Sequence, residues 1–249
     1  MEDTFKYHYL ELVENYMNVA SNMLWEDAAN STRILSHYFS KKPKVILDIG
    51  ACVGLFSIHS AKMHPNAKII SFEPIPESYN IFTQNLEKNN ITNVTAINKG
   101  LYSEEKTVTF SLPRPETLKP GVLQNDGMPG LGRYTMFNNS TNNLDRSLPG
   151  WLDNWDNGVK SVEAQLTTLN NIITKHNIQS ADIIKIDCEG AEIDILNNAE
   201  QFFRNSKLVF AEHHPEFDQH DELAATLTRF NFQCVAGEKS HNKFWINKK

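Results

Sequence analysis

The fold of this chain is decided by the stretch VILDIGACVG at residues 45–54 and by a second apolar run, IISFE, at residues 69–73. An apolar strand followed by Gly-x-x-x-Gly at the start of a helix lets the backbone approach a ligand closely, because glycine has no Cβ and tolerates unusual dihedral angles. Glu73, at the end of the second strand, offers two acceptor oxygens to the adjacent hydroxyls of a ribose. The two runs together predict a nucleoside-cofactor site.

The composition of the first loop separates two classes of cofactor. A dinucleotide fingerprint requires Gly-x-Gly-x-x-Gly to seat a pyrophosphate at the helix N-terminus, whereas this loop has only Gly50 and Gly54, preceded by Asp48. S-adenosylmethionine (SAM) has no phosphate and carries a cationic ammonium and sulfonium, so an acidic loop suits it better. The loop favours SAM over NAD, and a tight turn without any ligand is the alternative.

The rest of the chain alternates between short apolar runs and helical patterns, which predicts a doubly wound, mostly parallel α/β sheet. The predicted strands are 45–49, 68–72, 94–98, 182–186 and 208–212, and the predicted helices are 54–64, 77–89, 167–176, 191–203 and 221–230. Residues 232–235 and 243–247 predict a closing antiparallel hairpin. One domain, 43–249, therefore follows an N-terminal helical extension, 1–42, which either packs on the sheet edge or helps to cap the cofactor.

Residues 111–160 interrupt this alternation with a stretch rich in proline, glycine and asparagine, which predicts a long loop insertion. Apolar side chains such as Tyr134, Trp151 and Trp155 make it too apolar for a plain linker. We therefore interpret the insertion as a lid that binds the acceptor, with a mobile surface loop as the alternative. Just before it, residues 106–112 alternate apolar and polar positions and predict an added strand.

A series of motifs resembles the FkbM-type family of SAM-dependent methyltransferases, in order, over about residues 43–246. The matching stretches are 48–54, 72–76, 86–90, 184–192 and 212–213, and the most specific of them is KIDCEGAE at residues 185–192. Two positions depart from the family pattern: Cys52 stands in place of the usual asparagine and Cys188 in place of the usual valine. The resemblance implies a class I, Rossmann-like sheet of seven strands, SAM as cofactor, and methyl transfer.

Ligands of open α/β sheets bind at the carboxyl ends of the strands, so we expect the site residues to lie there. The cofactor-binding candidates are Asp48, Gly50, Ala51, Cys52, Gly54, Glu73, Pro74, Leu101, Tyr102, Ser103 and Asp187. The catalytic candidates are Lys185, Asp187, Glu212 and His213. All of them are expected to face one crevice.

The catalytic candidates have several roles open to them. Lys185 and Asp187 share one face of their strand, so Lys185 either pairs with a carboxylate or binds the acceptor. Asp187 can hold the amino group of SAM, accept a proton, or ligate a metal. His213 is the best candidate base, because imidazole titrates near neutral pH; an exposed pair with His214 is the alternative. A divalent ion, Mg²⁺ or Mn²⁺, is a minority alternative to this base.

Bulk properties narrow the class of partner. A net charge of −6 and a pI near 5.8 disfavour nucleic acid, which requires clustered Lys and Arg. The three cysteines lack metal-type spacing, and the chain shows neither a leader pattern nor a long apolar run, so we expect a cytoplasmic protein without a membrane span. The predicted function is O-methylation of a hydroxyl on a sugar, glycan precursor or secondary metabolite. The alternatives are a catalytically silent SAM-fold binding module and an NAD-dependent oxidoreductase.

Overall fold

A computed structural model describes residues 42–113, 135–137, 159–188, 190–212, 220–236 and 242–249. The predicted N-terminal helices and most of the predicted insertion lie outside these residues. The described strands are β1 (Val45–Ile49), β2 (Lys68–Phe72), β3 (Val94–Ile97), β4 (Gly100–Tyr102), β5 (Lys106–Pro113), β6 (Thr135–Phe137), β7 (Val159–Thr168), β8 (Ile183–Ile186), β9 (Leu208–Glu212), β10 (Phe232–Ala236) and β11 (Asn242–Asn247). The described helices are α1 (Leu55–Met63), α2 (Pro76–Lys88), α3 (Leu169–His176), α4 (Glu192–Asn198), α5 (Glu200–Asn205) and α6 (His220–Arg229).

Seven of the described strands form the main sheet, in the order β10-β11-β9-β8-β1-β2-β3. Neighbours from β9 to β3 pair in parallel, whereas β11 runs antiparallel to both β9 and β10. This arrangement confirms the predicted doubly wound, mostly parallel seven-stranded sheet with a closing antiparallel hairpin. The strand order reverses at β1, because the chain continues outward from it on both sides. The ligand site of such a sheet is expected at the carboxyl ends of β1, β2 and β8.

Alternation along the strands divides the core between the two faces of the sheet. Leu47 and Ile49 belong to one buried cluster, while Ile46 belongs to another. Side chains of β8 and β9 divide in the same way, with Ile184 in the first cluster and Ile183 in the second. Because both faces are covered, these strands read as continuously apolar runs, and this is why the sequence predicted their positions well.

A second, four-stranded sheet among the described residues was not predicted, and its order is β4-β7-β5-β6. The strand expected at residues 106–112 exists as β5, but it pairs with β6 and β7 instead of joining the main sheet. β7 replaces the predicted loop at the end of the 111–160 insertion and the first residues of the predicted helix 167–176. Its buried Ala164 and Leu166 alternate with exposed polar residues, a period of two that identifies a half-buried strand.

The helix predicted over residues 191–203 is divided into α4 and α5 at Ala199, whose φ of −126° leaves the helical region. Phe202 and Phe203, which both lie in α5, are buried at 4% and 0% exposure. In the part of the chain that the structure describes, no helix is long and apolar enough to cross a membrane.

Candidate active site

The loop between β1 and α1 is held against the end of β2. The amides of Gly50 and Ala51 both donate to the carbonyl oxygen of Phe72, at 3.1 and 2.8 Å. Three loop residues adopt positive φ: Gly50 (83°), Cys52 (51°) and Gly54 (88°). These left-handed positions bend the backbone sharply between strand and helix.

The two glycines are required by neighbouring protein atoms. A Cβ on Gly50 would lie 1.7 Å from the carbonyl oxygen of Asp187, and a Cβ on Gly54 would lie 1.9 Å from the ring of Phe82. Protein atoms therefore account for both glycines, and the close approach of a ligand to the loop, which the sequence predicted, stays a prediction. The loop therefore fits directly against the end of β8, which carries Asp187.

Glu73 lies at the end of β2 with only 3% of its surface exposed. Its Oε2 accepts a hydrogen bond from the amide of Cys52 at 2.8 Å, and its Oε1 accepts one from the amide of Ile75 at 2.9 Å. Each oxygen keeps a second lone pair, so the fixed carboxylate, when it is ionised, can still accept two hydroxyl groups. Burial raises the pKa of Glu73 to about 8, although the two amides and Lys185 act in the opposite direction.

Lys185 and Asp48 lie directly opposite each other in the pairing of β8 with β1. The Lys185 ammonium lies 3.6 Å from Asp48 Oδ1 and 3.2 Å from Asp187 Oδ2, and it donates to the carbonyl oxygen of Gly50 at 2.8 Å. Burial by itself would lower the pKa of Lys185, but Asp187 and Asp48 outweigh it and raise that pKa. Of the two roles predicted for Lys185, pairing with carboxylates is the one seen in the structure.

Asp48 is completely buried beneath the loop, with 0% exposure. Its Oδ2 accepts a hydrogen bond from the Ser57 hydroxyl at 2.5 Å, and Ser57 lies 2.6 Å from the hydroxyl of Ser71. Burial raises the pKa of Asp48, while Lys185 and Ser57 lower it. In this structure Asp48 contacts Ser57 of α1 and Lys185 of β8, and its predicted contact with a cofactor stays a prediction.

The turn after Asp187 is closed by Glu192, for which the sequence assigned no role. Glu192 is 2% exposed, and its two oxygens accept hydrogen bonds from the amides of Cys188 and Gly190, each at 2.9 Å. The available signal was a glutamate two residues after Gly190 at a helix start, inside the KIDCEGAE motif. Asn85 was missed as well; its side-chain amide donates to the carbonyl of Val53 at 2.9 Å and supports the first loop.

The remaining cofactor candidates lie around the start of the second sheet. Leu101 is buried in the core, whereas Tyr102 is half-buried with the Lys106 ammonium 4.0 Å from the centre of its ring. Burial and nearby Asp194 raise the pKa of Tyr102. The carbonyl of Ser103 accepts from Asn198 at 3.0 Å. These contacts fix the chain beyond β3.

Pro74 follows Glu73 in the turn that leads to α2. Its carbonyl accepts from Asn98 at 3.2 Å, and a Cβ on Gly100 would lie 3.3 Å from the ring of Pro74. The next residue, Ile75, has 0% exposure and packs in a cluster with Phe110 and Ala164 of the second sheet. The turn that carries Glu73 is therefore packed directly against the second sheet.

Part of the predicted catalytic set lies outside the described residues. Glu212 ends β9 and is half-buried opposite Asn242, but His213 lies outside the described residues. Within the described ranges, no group of three or more His, Cys, Asp or Glu side chains is arranged to hold a metal ion. The juxtaposition of His213 with Asp187 and the metal alternative both stay predictions.

Comparison with known proteins identifies the chain's relatives. The family model described as "Methyltransferase FkbM domain" matches residues 48–234. The chain is similar to Methyltransferase sdnD of Sordaria araneosa, with 27% identity over 172 residues, 63% of this chain and 60% of that protein. It is also similar to Methyltransferase 1 of Beauveria bassiana, with 24% identity over 61% of this chain and 56% of that protein.

A further relative matches over more of the chain. The similarity to 31-O-demethyl-FK506 methyltransferase FkbM of Streptomyces tacrolimicus is 21% identity over 227 residues, which are 87% of this chain and 83% of that protein. The relatives from Sordaria araneosa and Beauveria bassiana are matched over about three fifths of their own length. These matches confirm the family resemblance that the sequence motifs indicated.

Proposed function

The chain belongs to the FkbM methyltransferase family, and from this premise we propose that it is a SAM-dependent O-methyltransferase. The proposed acceptor is a hydroxyl group on a sugar, a glycan precursor or a secondary metabolite. The observation that carries the proposal is the carboxylate of Glu73, buried at the end of β2 and oriented by the amides of Cys52 and Ile75. A carboxylate fixed at this place suits the two hydroxyls of a ribose.

The residues at this edge fit SAM by their chemistry. We propose that Glu73 accepts the ribose hydroxyls, that the loop from Gly50 to Gly54 contacts the amino-acid portion, and that Asp187 holds its ammonium group. Asp187 keeps 25% of its side chain exposed at the sheet edge and lies beside the loop, which supports this role. When bound, SAM supplies an electrophilic methyl group on its sulfonium.

The protein must also prepare the acceptor, because a hydroxyl is a poor nucleophile at neutral pH. We assign proton removal to His213, which follows Glu212 at the end of β9, next to the strand that carries Asp187. The name of the Streptomyces tacrolimicus relative refers to a 31-O-demethyl compound, and this supports oxygen as the acceptor atom. A divalent ion at the same edge is the alternative source of activation.

We propose the same division of the chain as the sequence predicted: a helical extension at 1–42 and a methyltransferase domain at 43–249, with acceptor contacts supplied by the insertion at 111–160. The cluster of Ile75, Phe110 and Ala164 supports this assignment of the insertion. It joins the turn after Glu73 to the sheet from which the insertion leaves, so donor and acceptor would meet at one edge.

Calorimetric titration with SAM, S-adenosylhomocysteine (SAH) and NAD tests the cofactor assignment. We expect SAM and SAH to bind, NAD to bind far more weakly, and Glu73→Ala to weaken SAH strongly. Glu200→Ala, which removes an exposed carboxylate paired with Arg204 on α5, is the control and should bind SAH like the native chain. Tighter binding of NAD than of SAM, or unchanged SAH affinity in Glu73→Ala, would refute the assignment.

Turnover separates an enzyme from a silent binding module. The native chain and Glu73→Ala are incubated with methyl-labelled SAM and a panel of sugars, glycan precursors and secondary-metabolite alcohols. We expect the native chain to transfer label to an oxygen of at least one class. Binding of SAM without transfer to any oxygen, nitrogen or carbon acceptor would favour the binding module.

A further inference from the structure

We propose that Glu192 is a positioning residue that fixes Asp187 against the first loop, so that Asp187 can hold the ammonium group of the donor. This inference rests on the proposed SAM-dependent function. It goes beyond that function because it gives a role to a buried carboxylate that does not itself contact the donor. Glu192 instead positions the residue that binds the amino-acid end of the donor.

The contacts of Glu192 point back along the chain, away from its own helix. It is the first residue of α4, yet its oxygens accept from the amides two and four residues earlier, Gly190 and Cys188, each at 2.9 Å. With 2% exposure, the carboxylate has little access to water, so these two charge-assisted bonds are its main compensation for burial. One side chain thereby closes the turn from Cys188 to Gly190, where Gly190 adopts a φ of 104°.

Asp187 is fixed from both sides of its backbone. Its amide donates to the carbonyl of Ile49 at 3.0 Å, and its own carbonyl lies where a Cβ on Gly50 would be, 1.7 Å away. The peptide that follows is held by the bond from Cys188 to Glu192. If that second support is lost, the backbone after Asp187 can turn, and both its carboxylate and its contact with Gly50 move.

A purely structural carboxylate offers a matched comparison at the opposite end of the sheet. Asp182 precedes β8, and its Oδ2 accepts from the amides of Lys44 and Val45 at 2.7 and 3.0 Å, while Oδ1 pairs with Lys207. It makes the same kind of double bond to backbone amides, but at the amino end of the strands. A loss of folding stability alone should therefore affect Asp182 variants as it affects Glu192 variants.

Glu192→Gln keeps the shape of the side chain but leaves one oxygen for two amides, so one amide faces the NH₂ group instead.

Two ligands distinguish positioning from folding. SAH carries the ammonium group assigned to Asp187, whereas adenosine carries the ribose but lacks that group. We expect Glu192→Gln to weaken SAH at least tenfold and to change adenosine affinity less than twofold. Asp182→Asn should leave both affinities unchanged at a temperature where all variants are folded.

Several outcomes overturn the proposal. Native-like SAH affinity in Glu192→Gln refutes it while leaving the proposed function intact, and equal losses for SAH and adenosine assign Glu192 a general structural role. Failure of the native chain to bind SAH refutes the proposed function and this inference together. If Glu192→Gln does not fold, Glu192→Asp, whose shorter side chain reaches one amide, is titrated in the same way. Hydrogen exchange adds a test on the native chain. The amides of Cys188 and Gly190 should exchange slowly, and fast exchange of both would refute their bonds to Glu192.

Discussion

The ammonium of Lys185 donates to the carbonyl oxygen of Gly50 across 2.8 Å, so a lysine on β8 holds the loop that follows β1. The same ammonium lies between the carboxylates of Asp48 and Asp187. Two chain segments that are distant in sequence are therefore connected by one charge. This connection also explains how a lysine is tolerated in a central strand, since each buried charge needs an opposite charge and hydrogen bonds.

Replacement of Lys185 by methionine should be strongly destabilising, because it leaves the fully buried Asp48 without its cation. Removal of one partner of a buried pair typically costs about 3–5 kcal/mol, and we expect a loss of unfolding free energy of that order in urea denaturation. The double variant Asp48→Asn/Lys185→Met should recover part of the loss. The control is Lys207→Met, which breaks the more exposed pair with Asp182 and should cost less than about 1 kcal/mol. Equal losses in the two lysine variants would contradict this account.

The buried carboxylate of Glu73 should make folding stability depend on pH. Burial raises its pKa from an ordinary 4.5 to about 8, so the folded state binds this proton more tightly than the unfolded state does. The resulting stability is fully present below pH 4.5 and is lost as the pH rises toward 8. The slope reaches at most about 1.4 kcal/mol per pH unit. Glu73→Gln cannot titrate and should therefore lose less stability across this range than the native chain.

Denaturation of both chains from pH 6.5 to 8 checks this prediction. The window lies above the titration of buried His59, whose pKa burial lowers to about 4, so that histidine contributes little. Asp48, whose pKa burial also raises, is present in both chains and cancels in the comparison. Parallel stability curves for the two chains would show that Glu73 is ionised throughout this range in the folded state.

Cys52 occupies a position that suits another residue. Its φ of 51° lies in the left-handed region, which asparagine adopts more readily than other non-glycine residues because its side chain can bond locally. Cys52→Asn should therefore raise the free energy of unfolding by about 0.5–1 kcal/mol, while the amide that donates to Glu73 is kept. Cys52→Val is the control, because a β-branched side chain tolerates this φ poorly and should destabilise. A thermal midpoint for Cys52→Asn at or below the native value would argue against backbone strain.

His213→Ala should lower the single-turnover rate of methyl transfer and leave SAH affinity within about twofold of the native value. General base catalysis contributes about 10²–10⁴-fold, and the loss should diminish at higher pH, where the acceptor hydroxyl ionises more readily. His214→Ala is the neighbouring control. The metal alternative makes a different prediction: a chelator abolishes transfer by the native chain, and Mg²⁺ or Mn²⁺ restores it. If His213→Ala transfers methyl groups at the native rate and a chelator has no effect, both the histidine base and the metal alternative are refuted.

Sequence periodicity predicted the main sheet because its strands are buried on both faces and stand out as apolar runs. The same alternation placed Lys185 and Asp187 on one face, as the structure has them. β7 was missed because its first residues fall in a stretch whose composition resembles a loop. A strand with one exposed face carries many polar residues, and its period of two is then the only local signal.

The contacts that hold the site residues together could not be predicted from local sequence patterns. The contact of Gly50 with Asp187 depends on β1 and β8 being neighbours, which follows from the whole topology. The role of Glu192 depends on the rotamer of one side chain that turns back toward the preceding residues. Residue types therefore predicted where the site lies, while the bonds that hold it together required the three-dimensional arrangement.

The pairing of β5 with β7 ends at Pro113 opposite Val159. The intervening chain thus begins and ends at two facing positions of one antiparallel ladder, and within it β6 also pairs with β5. Chain joined at such a stem can change in length at low cost, since each doubling of a loop adds only about 0.6 kcal/mol of closure entropy. Under the proposed acceptor role, the stretches on either side of β6 can differ in length and sequence between relatives, while β5, β6 and β7 keep their pairing. Acceptor choice can then diversify in evolution, or in a chimeric enzyme, while the donor site is inherited unchanged.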